Sequence, residues 1–248
     1  MKSLLPIITL ALLLSSCNNT ATKQVSTQDS SKAQLASHPV LVEKVLTKEE
    51  RDALTPDQIL QSLKDGNNRF VNDSLTDRLH SAQVRAAAKG QYPKAVILSC
   101  LDSRIPVEDV FDKGIGDLFV ARVAGNIVDE DILGSMEFGC KVSGAKLIVV
   151  LGHTECGAIK GAIDNVQLGN LTALLSKIKP AVDSTQSFSG DKTSKNKDYV
   201  NAVCNKNVQL TINNIRKHSP ILNDMEKNGE IKIVGAVYDM ATGKVTFM

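Results

Sequence analysis

Two short motifs hold the side chains that could do chemistry. In "AVILSCLDSRIPVEDV", Ala95 to Val110, an apolar run ends on a thiol, a carboxylate and a guanidinium: Cys100, Asp102 and Arg104. Further along, "AKLIVVLGHTECGAI" ends a second apolar run on His153 and Cys156. Two cysteines and a histidine are soft or borderline donors, and three such ligands with a fourth position open form a recurring catalytic zinc arrangement. The spacing His-x-x-Cys is short enough for one turn to present both side chains to a single ion, with Cys100 supplying the third ligand from the other motif. Closed structural zinc sites use four protein ligands, often in Cys-x-x-Cys knuckles. This chain has no such pair, and Asp102 is the only evident candidate for a fourth ligand. The plainer alternative makes Cys100 and Cys156 buried thiols, or a disulfide in an oxidising compartment. It leaves His153 and the Asp102–Arg104 pair with no reason to converge.

Convergence depends on the elements that deliver the motifs. "KAVILSC", "GDLFVARV" and "AKLIVVLG" are continuous runs of Val, Ile and Leu, as expected for strands of a parallel sheet covered by helices on both faces. Helical patterns alternate with them. "TPDQILQSLKDGNNRFV" opens with Thr55 as N-cap, Pro56 at the first helical position and Gln58 at the third, with apolar residues at helical spacing behind. A second helix is expected over Leu79 to Lys89, and a third through "DEDILGSMEFGCKVSG" with acids in its first turn and Gly144 past its end. "GAIKGAIDNV", "NLTALLSKIKPAV" and "YVNAVCNKNVQLTINNIRKHS" read as further helices, separated by a loop at "DSTQSFSGDKTSKNKD". "EIKIVGAVYDMATGKVTFM" closes the chain as a strand, a turn and a short return strand. In open α/β sheets, ligands bind at the carboxyl ends of the parallel strands. Both motifs follow strands at that edge, so residues distant in sequence meet in space. The fold class is α/β, a central mainly parallel sheet flanked by helices.

Composition narrows the function. With 248 residues, 42% of them hydrophobic and 23% charged, the chain is long enough for one well-cored domain. A formal charge of +2 without a basic block, zero Trp and three Tyr argue against a nucleic-acid partner.

Taken together, "SCLDSR" and "GHTECGAIKGA" resemble the paired motifs of the β-class carbonic anhydrases, and the similarity extends from about Ile59 to "GAVYD" near the C-terminus. The resemblance implies that Cys100, His153 and Cys156 bind one Zn²⁺ per subunit. It implies that Arg104 pairs with Asp102 and keeps it off the metal, so that Asp102 orients a zinc-bound hydroxide attacking CO₂ to give bicarbonate. Gln91, Phe119 and Phe138 occupy positions that line the family's substrate pocket, some supplied across a dimer interface. Phe138 departs from the Tyr of the plant enzymes. Gly157 is expected to offer its backbone N–H to Asp102. The family also implies N-terminal helices that pack a homodimer or a higher even oligomer. Members that move the aspartate onto zinc use a secondary pocket with a Trp, so this chain, lacking Trp, is expected in the constitutively open subclass. Two alternatives keep part of this reading: hydrolysis of a CO₂ analogue such as COS or CS₂ on the same fold, and a lipid-anchored zinc protein without turnover.

Outside the motifs, Cys140 and Cys204 are expected as buried inert thiols, His80 and His218 as helix-surface residues, and Arg122 as structural or interfacial. The N-terminus is a separate piece. Residues 1–16 hold one Lys, then "LLPIITLALLL", too short to span a bilayer, then small residues, which is the pattern of a secretory signal. The run ends in "LSSC", which resembles a bacterial lipobox and implies cleavage before a lipidated Cys17; a plain secretory signal is the alternative. The polar stretch that follows cannot bury enough surface to fold, so residues 17–40 are expected to be a tether and residues 41–248 the catalytic domain. The expected location is an exported protein, lipid-anchored to a bacterial membrane and facing the periplasm or cell surface.

Overall fold

The computed structural model describes residues 44–248. Cys17, the apolar run before it and the tether lie outside the described residues. Five strands form one sheet in the order β2-β1-β3-β4-β5. They are β1 (Ala95–Ser99), β2 (Leu118–Arg122), β3 (Leu147–His153), β4 (Lys232–Tyr238) and β5 (Val245–Phe247). The first four run parallel, and β5 returns antiparallel to β4. Each parallel step needs a crossover, and helices supply it. Strands β1 and β3 are buried along their whole length, which is why their sequences lack alternation.

The helices are α1 (Lys48–Asp52), α2 (Pro56–Val71), α3 (His80–Ala87), α4 (Val107–Val110), α5 (Glu130–Glu137), α6 (Gly157–Ile163), α7 (Gly169–Ser176), α8 (Lys179–Asp183), α9 (Lys197–His218) and α10 (Pro220–Lys227). Thr55 caps α2 through the reciprocal capping box with Gln58. Asp129 caps α5, whose regular part ends earlier than its sequence pattern suggests. Phe138–Val142 continues it as one π-helical turn. The pattern "NLTALLSKIKPAV" divides into α7 and α8, because Pro180 belongs in the first turn of a helix and not inside one. Three short or late helices, α1, α4 and α10, were not anticipated.

Alternate residues of the sheet feed two cores. On one face Val96, Leu98, Ile148 and Val150 pack against Met136 of α5, Val208 and Ile215 of α9, and Leu222 of α10. On the other, Ala95, Ile97, Leu147 and Val149 pack against Ile59 and Leu63 of α2 and Val107 and Val110 of α4. Each such large side chain, fully buried, stabilises the fold by about 1.5–3 kcal/mol. Helix α2 approaches very closely: a Cβ on Gly66 would lie 1.8 Å from the Phe111 carbonyl oxygen, so only glycine fits. The next residue, Asn67, is buried and satisfied, donating to the carbonyls of Val110 (3.1 Å) and Gly243 (2.9 Å) and accepting from the Val245 N–H (2.8 Å). These contacts lock α2 to α4 and to the C-terminal hairpin. A third cluster, including Ile127, Ile159, Ile178, Tyr199 and Val203, sits around Cys100 and Cys156.

Candidate metal centre

Cys100 follows the last residue of β1, and His153 is the last residue of β3. Because the two strands are parallel neighbours in register, Ala95 opposite Leu147, both motifs emerge at the same edge. Cys156 then N-caps α6 after a tight turn in which Glu155 adopts φ 58°. The ligand atoms of Cys100, His153 and Cys156 lie within 4.8 Å of one another, and all three residues are buried. The two sulfurs are 3.9 Å apart. An ion bonded at about 2.3 Å to two thiolates at the tetrahedral angle needs them roughly 3.8 Å apart, so the spacing fits zinc without rearrangement. The donor chemistry fits as well. The Nδ1 of His153 lies 2.9 Å from the Thr154 carbonyl oxygen, to which it donates in the tautomer that leaves Nε2 as a lone-pair donor. That Nε2 is buried and has no hydrogen-bond partner among the described residues, which a metal ligand would explain.

Electrostatics sharpen the arrangement. The hydrogen bond shared between the two sulfurs pulls Cys100 down to about 4, while burial opposes this and His153 and the Gly125 and Asp102 N–H groups assist. The same hydrogen bond, with burial, pushes Cys156 up. A cation between the sulfurs would replace the shared proton.

Asp102 stands beside this group but outside it. Arg104 grips it in a fork, Nε to Oδ1 at 2.9 Å and Nη2 to Oδ2 at 2.7 Å, and the Arg104 N–H adds a bond to Oδ1 at 3.0 Å. This pairing, opposed by desolvation, draws the Asp102 carboxyl down to about 2. Its Oδ2 stays 3.9 Å from His153 Nε2.

The observed set, two thiolates and one imidazole at the carboxyl edge of a parallel sheet with an aspartate held alongside, matches known proteins. Residues 95–245 match the family model described as "Carbonic anhydrase". The chain belongs to the carbonic anhydrase family. It is 34% identical over 190 residues to "Carbonic anhydrase 2" of Mycobacterium tuberculosis (strain CDC 1551 / Oshkosh), covering 74% of this chain and 88% of that protein. It is 32% identical over 191 residues to a carbonic anhydrase of Mycolicibacterium smegmatis, covering 75% and 89%. Among solved structures, the Coccomyxa beta-carbonic anhydrase in complex with acetazolamide superposes with a TM-score of 0.57 at 25% identity, covering 68% of this chain and 82% of that one. A tetrameric beta-carbonic anhydrase of Sordaria macrospora gives 0.60 at 24% identity, covering 66% and 85%, a likeness of fold. This carbonic anhydrase therefore has the β-class architecture.

The remaining expected residues do not all gather at the ligands. Gly157 opens α6 directly after Cys156 and is exposed, with open space beyond its Cα. Gln91 precedes β1, at the amino edge of the sheet and thus opposite the ligands. Phe119 pairs with Val96, four residues before Cys100, which is roughly 13 Å along the strand. Phe138 meets Phe119 edge-on, ring centroids 6.3 Å apart, and is 50% exposed. These three occupy the far end of the same chain's sheet. Cys140 and Cys204 are buried and free, and burial pushes each up to about 12. His80 and His218 are exposed, as expected.

Arg122 is more closely tied to the site than its sequence position suggests. At the end of β2, it donates from Nε to the Cys100 carbonyl (3.1 Å), from Nη1 to the Ile105 carbonyl (3.0 Å) and from Nη2 to the Asp102 carbonyl. It touches no ligand atom, yet it clamps the whole Cys100–Ile105 turn. The one available signal was an arginine ending a strand beside the strand that ends in Cys100.

Proposed function

We propose that this carbonic anhydrase is a zinc-dependent carbonate dehydratase, interconverting CO₂ and bicarbonate. The observation that carries the reading is the convergence of the Cys100, His153 and Cys156 ligand atoms beside an aspartate that Arg104 keeps out of their group. Those three residues would hold the ion. When bound, zinc lowers the pKa of a water in its open position from 15.7 toward about 7, making a hydroxide nucleophile available near neutrality.

The protein's own groups do the rest. Asp102 remains ionised because Arg104 holds its carboxyl down to about 2, so its Oδ2 is an acceptor for the nucleophile's proton throughout the working range. The fork from Arg104 prevents Asp102 from turning onto the ion, which keeps the fourth position for chemistry. Apolar side chains near the ligands, Ile127 and Ile159, favour a nonpolar gas over bulk water.

The pocket is completed by a second subunit in this reading. Phe119, Phe138 and Gln91 lie away from their own ligands, while β2 is an edge strand of the sheet with a half-buried apolar surface. Such an edge invites pairing. A homodimer, or an even oligomer built from it, brings one subunit's aromatics to the other's metal centre. Export and anchoring through lipid on Cys17 belong to the same proposal and are supported by "LSSC" after a short apolar run. Replacing Cys17 with Ala should move the protein from the membrane fraction to the soluble one.

The decisive experiment is stopped-flow CO₂ hydration by the purified protein, before and after chelation, with Cys100→Ser alongside. Activity should vanish on chelation, return with zinc and be absent in the variant. Activity that survives both would overturn the assignment.

A further inference from the structure

We propose that Asn207, on α9, is a positioning residue for Cys100 and acts through Gly125. The inference rests on the metal-site reading above. Its carrier is a two-bond chain of contacts. The Asn207 amide donates from Nδ2 to the Gly125 carbonyl oxygen at 2.8 Å, and the Gly125 N–H donates to the Cys100 sulfur at 3.3 Å.

The intermediate is a turn that depends on such support. Ala124–Asn126 is a single 3-10 turn after β2, and Gly125 sits in it at φ 71° and ψ 16°. The next residue, Asn126, is also left-handed at φ 43°. Glycine takes this conformation freely and Asn tolerates it, so the direction of the turn is set by the contacts made to it. A side chain at Gly125 would be strained, because φ is positive and a Cβ there would lie 2.5 Å from Ile178 Cδ1. Asn207 is 3% exposed and reaches the turn from a long helix that also packs on β3 and β4. It therefore references the turn to the rigid sheet.

The chemical consequence concerns the sulfur. An N–H aimed at a metal-bound thiolate draws off part of its negative charge, which stabilises the thiolate and leaves the cation a stronger pull on its open position. Two thiolates on one zinc already cancel its formal charge, so the direction of this one bond matters more here than in an all-imidazole site. Asn207 touches neither substrate nor reacting atoms, and its effect is entirely on where Gly125 points.

The test uses the full chain loaded with a spin-one-half cadmium isotope and read by NMR. Metal cross-peaks to the Cβ protons of Cys100 and Cys156 establish the ligand set; without them the metal-site reading itself fails, and this inference with it. Given those peaks, a further cross-peak from the metal to the Gly125 amide proton, through the N–H···S bond, is expected. In Asn207→Leu, close in shape but without a donor, that cross-peak should be lost, and cadmium affinity by chelator competition should fall about 10-fold. Thr211→Val, one turn further along α9 at another buried polar position, should leave both unchanged. If Asn207→Leu does not fold, Asn207→Asp, which puts a carboxylate against the Gly125 carbonyl, serves in its place. A Gly125 cross-peak of undiminished size in the folded variant overturns the proposal, as does its absence from the native chain.

Discussion

Arg122 and Asp102 are joined through the backbone: the Arg122 guanidinium donates to the Asp102 carbonyl, while the Asp102 carboxylate faces Arg104. One arginine thus sets where the residue sits and another sets where its side chain points. Arg122→Met keeps much of the stem's packing and removes three donors to the turn. The expected result is retained metal with kcat/KM lowered between about 10- and 100-fold, the cost of small misplacement of reacting groups. Metal content measured alongside CO₂ hydration checks it, and unchanged kcat/KM would count against the clamp.

The rate should depend on pH through the nucleophile and not through Asp102. Arg104 holds the Asp102 carboxyl down to about 2, so it is already ionised near neutrality. Two thiolates would neutralise the charge of a bound zinc ion and weaken its pull on water compared with a three-histidine site. The expected kcat profile rises with pH and inflects above neutrality. Asp102→Asn should keep the metal and lower kcat by about 100-fold, the scale of a lost proton acceptor. An inflection well below neutrality would contradict the charge argument.

Asp112 predicts a separate, structural pH dependence. Its carboxylate is buried and receives Arg69 of α2, the Thr76 N–H (3.0 Å) and hydroxyl (2.6 Å), and Arg78. Burial raises its pKa, but the Thr76 and Arg69 hydrogen bonds outweigh it, so the folded value lies below the ordinary 3.8. The stability it contributes is complete above the unfolded pKa and is lost as pH falls through the lower folded value. Asp112→Asn should cost about 3 kcal/mol near neutrality, because Arg69 and Arg78 lose the buried carboxylate that they share. Denaturant melts should show that the variant loses less further stability than the native chain as pH drops below about 4.

The strands and the ligand motifs were legible because local signals agree with the global fold. Apolar runs without alternation are buried on both faces, and the Thr55–Gln58 capping box marks a helix start that the structure keeps. Arg104's fork on Asp102 was expected and is present. What stayed hidden depends on contacts distant in sequence. The clamp by Arg122 and the Asn207–Gly125 bond join residues on different elements, and no periodicity encodes them. The π turn at Phe138–Val142 extends a helical pattern whose spacing alone looks regular. The separation of Gln91, Phe119 and Phe138 from their own ligands follows from strand direction: they lie before or near the starts of β1 and β2, whereas Cys100 follows the end of β1.

That separation yields the last prediction. Phe138 is half exposed, rests against Phe119 and stands beside the edge strand β2, so it costs the monomer little to change it but exposes it to any subunit that pairs there. Phe138→Glu places a charge where a partner would bury an aromatic ring, and unpaired buried charge is strongly disfavoured. The variant should fold and bind metal, run as a monomer in analytical ultracentrifugation and lose most of its CO₂ hydration, because each metal centre then lacks its partner's aromatics. Phe138→Tyr adds only a hydroxyl and should remain oligomeric and active. A Phe138→Glu protein that is monomeric yet fully active would show that one subunit suffices, and the shared pocket would have to be abandoned.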